Sequence, residues 1–141
     1  MSNEIQVAQR ELIEDFELFE DWMDRYQYLV DMGRRLPGFP DALRNDEHRI
    51  RGCQAQVWFV PNERDGRLYF QATSDAAIVS GLIALLLRLY SGRKPQDILD
   101  TPPDFVSALQ LESHLSPTRS TGLASMLAAI RRFASEALQA A

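Results

Sequence analysis

The stretch RIRGCQAQVWFV, Arg49 to Val60, holds Cys53, the single cysteine of the chain. An ionised thiol is a strong nucleophile, and positive charge nearby favours the ionised form. Arg49, Arg51 and His48 lie close to Cys53 in sequence, which points to a reactive thiol. A second reading stands beside it. Free cysteine often packs as a small, inert apolar side chain. A residue at a turn tip, however, is normally exposed, and Gly52 followed by a strand-like run places Cys53 at such a tip.

Other chemistries fit less well. One cysteine and two histidines, His48 and His114, give no ligand-pair spacing of the usual kind, so no zinc or iron–sulfur site within the chain is expected. His114, in LESHLSP, reads as a capping or surface histidine. A Cys–His pair assembled by the fold stays open on spacing alone. No protease or transferase signature surrounds Cys53, and no G-x-G-x-x-G, P-loop or G-x-S-x-G motif occurs. Arg119, in LSPTRSTGL, sits after a loop and near a predicted helix start. It reads either as a surface arginine or as a donor aimed at the sulfur or at a partner. The acidic run ELIEDFELFEDWMD reads as a solvated helix face or as a docking surface.

Several elements must position these groups. Leu12, Phe16 and Phe19 share one helical face; Trp22, Tyr26, Leu29 and Gly33 share another, with Asp21 as its cap. LPGFP, Leu36 to Pro40, ends that helix. Three strands follow: Glu47 to Arg51, Gln56 to Val60, and Gly66 to Ala72. PNERDG forms the turn between the last two, with Asp65-Gly66 its strongest part, and GCQA forms the tip between the first two. TSDAAIVSGLIALLLRLYSG is a helix apolar almost all round, hence central, capped by Ser74 or Asp75 and stopped at Gly92. Pro95 starts a short helix, and the last helix, after Pro117, puts Leu123, Leu127, Ile130 and Ala134 on one face. The order predicts an α+β fold in which helices pack on one face of a small three-stranded antiparallel sheet.

Composition sets the bounds. A chain of 141 residues, 45% hydrophobic and 25% charged, predicts one globular domain spanning 1–141. A net charge of −5 argues against a nucleic-acid partner. The longest apolar run, GLIALLL, is far short of the roughly 20 residues a membrane span needs. The acidic, polar start is unlike a signal or transit peptide, and one cysteine permits no internal disulfide, so a reducing, cytoplasmic setting is expected.

The blocks GCQAQVWFV, SDAAIVSGLIALLL, LQLESHLSP and LSPTRSTGLASML, in this order, resemble the SufE family of sulfur-acceptor proteins from about Trp22 to Phe133. The family usually has serine between the two glutamines, where this chain has Ala55. The resemblance implies a SufE/IscU-like fold. It implies that Cys53 accepts persulfide sulfur from a cysteine desulfurase, SufS-like or CsdA-like, stimulates that enzyme, and passes the sulfur to a downstream scaffold that builds iron–sulfur clusters. Pyridoxal phosphate then belongs to the desulfurase, and this chain carries no cofactor or metal and is not itself an enzyme. Gly52, Gln54, Arg51, Arg119 and Asp75 are the supporting or partner-contact candidates. The sulfur of Cys53 is expected to rest partly tucked against the sheet and helices. Two readings from other classes remain: a stand-alone thiol enzyme, such as a peroxide reductase or hydrolase, and an interaction module with an inert Cys53.

Overall fold

The computed structural model describes residues 3–140. Two helices come first, α1 (Glu4–Glu17) and α2 (Trp22–Arg34), then a 3-10 turn at Asp41–Leu43. The hairpin β1 (Val57–Arg64) and β2 (Arg67–Ser74) follows, then α3 (Ala77–Tyr90), α4 (Pro95–Asp100), α5 (Asp104–Ala108), α6 (Leu111–His114) and α7 (Pro117–Ala140).

Each helix start has a local cause. Asn3 and Gln6 close a reciprocal capping box on α1. The Asp21 carboxylate accepts the Asp24 N–H at 2.9 Å at the start of α2, as the sequence predicts. Pro95 opens α4 and Pro117 opens α7, where a missing N–H does no harm. α1 turns Ile5, Ala8, Leu12 and Phe16 inward; Phe19 lies beyond its end and packs on Tyr28, ring centroids 5.2 Å apart.

The central helix is α3, with Leu82, Ile83, Leu85, Leu86 and Leu89 fully buried. It meets α2 backbone to backbone. A Cβ added at Gly33 would lie 2.7 Å from the Gly81 nitrogen, and one added at Gly81 would run into the Leu29 carbonyl. Only glycine at both positions permits this crossing.

The sheet has two strands, not three. In β1 and β2, Val57 pairs with Ser74 and Arg64 with Arg67. The first predicted strand survives only as a bridge between Arg49 and Trp58, made by the Ile50 N–H to the Val57 carbonyl (2.9 Å) and the Phe59 N–H to the His48 carbonyl (3.0 Å). Asn45 draws the chain into a turn before it, accepting the His48 N–H, and Gly52 at φ +89° turns it away after it. The extended piece between these turns is too short for a ladder.

The hairpin runs further than its sequence suggests. β1 continues through Pro61 and Asn62, and the turn shrinks to Asp65-Gly66, both at positive φ (53° and 75°), the two-residue loop that matches strand twist. Pro61 is tolerated because Phe70, opposite it, gives its N–H to Ser91 Oγ (3.0 Å) rather than to β1. Val57, Phe59, Leu68, Phe70 and Ala72 of the hairpin join the core with α1, α3 and α7.

Helix α3 starts later than predicted. Its N-cap is Ala76, which has no side-chain cap bond, so neither Ser74 nor Asp75 caps it. The Ser74 hydroxyl accepts the Ala76 N–H within the turn, and the Asp75 carboxylate is engaged elsewhere. Among the described residues no helix is long and apolar enough to cross a membrane.

Candidate functional site

The segment from Arg51 to Gln56 loops between the Arg49–Trp58 bridge and β1, and it folds over the first turns of α7. Cys53 sits at its tip, half-buried, as a free thiol. Its S–H points at the Gly122 carbonyl of α7, with sulfur and oxygen 3.7 Å apart. Both stems of the loop are tethered. At the leading stem, Ser125 Oγ of α7 donates to the Gly52 carbonyl at 3.3 Å. At the trailing stem, the Asp75 carboxylate accepts the Gln56 N–H at 3.1 Å, while the Asp75 N–H reaches the Gln56 carbonyl at 3.4 Å.

Beside the sulfur lies a cleft of about 520 Å³. Ala55, Val79, Leu82 and Met126 contribute apolar wall; Gln54, Asp75, Thr118 and Arg119 contribute polar groups. A shallower depression on the other side of the tip is lined by Gly52, Gln54, Pro117 and Thr121 with Cys53. The thiol is therefore reachable from outside yet packed on protein.

Burial pushes the Cys53 thiol above its ordinary pKa, because a thiolate in this position would lose hydration. The expectation that Arg49, Arg51 and His48 would favour the thiolate fails for the resting loop. Arg49 and Arg51 are exposed, and the His48 Nδ1 sits 3.2 Å from the Leu43 carbonyl. In the resting loop, burial therefore favours the neutral thiol over the thiolate.

The other predicted groups fall as follows. Gly52 supplies the positive φ at the leading stem, and Gln54 is exposed on the cleft rim. Arg119 is in the first turns of α7, exposed, and lines the cleft. Arg51 is on the loop but lines neither cavity beside Cys53. Neither Arg51 nor Arg119 forms an ion pair among the described residues. Asp75 acts on the loop stem instead of on the helix start. His114 stacks flat on Trp22, ring centroids 4.0 Å apart, and lines neither cavity beside Cys53. No group of three or more His, Cys, Asp or Glu side chains among the described residues is placed to hold a metal ion. Gly122 and Ser125 were not anticipated. Their one signal is a run of small residues, STGLAS, in the first turns of α7, which lets a loop lie close against the helix.

Comparison with known proteins fits this geometry. A family model for SufE, described as an Fe–S metabolism associated domain, matches residues 10–134. An uncharacterised SufE-like protein of Rhizobium meliloti (strain 1021) is 39% identical over 132 aligned positions, in an alignment that covers 90% of this chain and 92% of that protein. The solution structure of a hypothetical protein from Thermus thermophilus superposes with a TM-score of 0.77 at 22% identity, covering 94% of this chain and 96% of that one, so the two share a fold. The family model thus places the chain in a class associated with Fe–S metabolism. The chain belongs to the SufE family.

Proposed function

We propose that the protein accepts sulfur from a cysteine desulfurase onto Cys53, stimulates that enzyme, and delivers the sulfur for iron–sulfur cluster assembly. The observation that carries this reading is the placement of the one thiol at the tip of a loop, half-sheltered over a cleft and tethered by few bonds. The transfer is a displacement at sulfur, akin to thiol–disulfide exchange. The Cys53 thiolate attacks the outer sulfur of the donor's persulfide. A new S–S bond forms at Cys53 as the donor's S–S bond breaks. The donor cysteine leaves as a thiolate, and the proton lost from Cys53 passes to it or to solvent. Electrons balance without an external oxidant.

One nucleophile suffices for this step, because carbon–sulfur cleavage takes place on the desulfurase with its own pyridoxal phosphate. In this reading the chain carries no cofactor or metal and works in the cytoplasm as a carrier, not as an enzyme. A single cysteine also leaves no second thiol within the chain to strip the sulfur. The shelter under the loop tip limits oxidation and theft by solutes. Arg51, Gln54 and Arg119, exposed around the tip, are the contact groups for the donor.

The test is intact mass after incubation with a purified cysteine desulfurase and cysteine. The protein should gain one sulfur atom, lost again on reduction, and Cys53→Ser should gain none and no longer stimulate the desulfurase. Full stimulation by Cys53→Ser, with sulfide output unchanged, contradicts the acceptor role.

A further inference from the structure

We propose that Ser125 is a positioning residue for the Cys53 loop: its hydroxyl ties the Gly52 stem to α7 and sets how readily the thiol leaves the cleft. The observation is a hydroxyl-to-backbone contact across 73 residues of sequence. Ser125 Oγ donates to the Gly52 carbonyl at 3.3 Å. A Cβ built on Gly52 would collide with that same Oγ and lie 3.3 Å from the Ser125 Cβ. Gly52 also holds φ +89°, a conformation that side chains other than glycine rarely adopt. Helix and loop backbone therefore meet with no room between them except for the hydroxyl.

The other bonds on the loop do different work. The Cys53 S–H to the Gly122 carbonyl is long and weak, and it breaks whenever the thiol ionises or accepts sulfur. The Asp75 pair with Gln56 lies where β1 begins, so the loop can pivot there with that bond intact. Ser125 is the remaining tether on the leading side of the sulfur. It lies three residues beyond Gly122, so one face of α7 holds both the stem and the sulfur. Swinging Cys53 out of the cleft with its leading stem requires this bond to open. The proposal rests on the acceptor reading only for its consequence in transfer; the tether itself is measurable on the isolated protein.

The measurement is the alkylation rate of Cys53 by iodoacetamide at fixed pH, with no desulfurase present. Ser125→Ala should raise the rate by about twofold, the population shift that follows from losing an exposed hydrogen bond at the weak end of the usual range. Ser125→Thr, which keeps the hydroxyl, should restore slow alkylation. Hydrogen exchange should quicken from Cys53 to Ala55 and stay unchanged at the Gln56 amide, which Asp75 still holds, and through the rest of α7. Gly52→Ala should expel the loop and accelerate alkylation in the native background. It should do so less when Ser125 is already alanine, because the colliding atom is gone. An unchanged rate in Ser125→Ala, or an equal effect of Gly52→Ala with and without the hydroxyl, overturns the proposal. If these results hold while the native protein gains no sulfur from a desulfurase, the tether stands and the acceptor reading falls.

Discussion

Burial disfavours the ionised form of Cys53, the group to which the proposed function assigns the attack on sulfur. Desolvation of the half-buried loop tip pushes the Cys53 pKa above the ordinary cysteine range, and Arg49 and Arg51 are exposed to solvent. A sign follows for the pH dependence. The alkylation rate of the free protein should rise with pH, with its midpoint above that of an unhindered cysteine peptide. In Gly52→Ala, where the loop is expelled, the midpoint should fall back toward the peptide value. A midpoint below the peptide's in the native protein contradicts the burial argument. The sequence made Cys53 and the φ-positive Gly52 legible, because a glycine before a strand marks a tip. It misread the arginines, since closeness along a loop says nothing of direction. It hid Ser125, whose role arises only when α7 and the loop meet across the fold.

At the scale of elements, the periodic helices were readable and the short pieces were not. Apolar spacing located α2 and α7, a run apolar almost all round and ending at Gly92 located α3, and prolines marked the starts of α4 and α7. The first strand failed because pairing needs length on both sides of a bridge, and turns at Asn45 and Gly52 left none. The α3 cap failed because Asp75 has a rival partner, the Gln56 N–H, that no local rule foresees. Two mutational outcomes follow. Asp75→Ala should quicken hydrogen exchange at the Gln56 amide while the first turn of α3 keeps its protection. Gly81→Ala should destabilise the protein by about 1–3 kcal/mol, as overpacking at a close crossing does. Its Cβ meets the fixed carbonyl of Leu29 rather than a side chain that can turn aside. The denaturant midpoint reports the loss, and an unchanged midpoint shows that α2 and α3 separate easily.

Across the whole molecule, helices at both ends of the chain and the hairpin between them share one apolar cluster, from Ile5 in α1 to Ala134 in α7. Chains of this size with a common core usually unfold in one step. Trp22, half-buried on α2, and Trp58, buried on the hairpin, report from different elements. Variants that keep one tryptophan each should give coincident urea curves, both matching far-ultraviolet circular dichroism; separated midpoints contradict a single cooperative unit.

Pro61 acts at this scale too. On the side of β1 away from β2, the backbone of Val57 and Phe59 is engaged by the His48–Ile50 segment. Pro61 comes next along that margin and has no N–H to offer, and Glu63 adds a charge. A hairpin margin that lacks the donor at Pro61 and carries a charge at Glu63 is a poor template for the strand of another molecule. Pro61→Val restores the donor, and its solutions should scatter light sooner on prolonged warming below the unfolding midpoint.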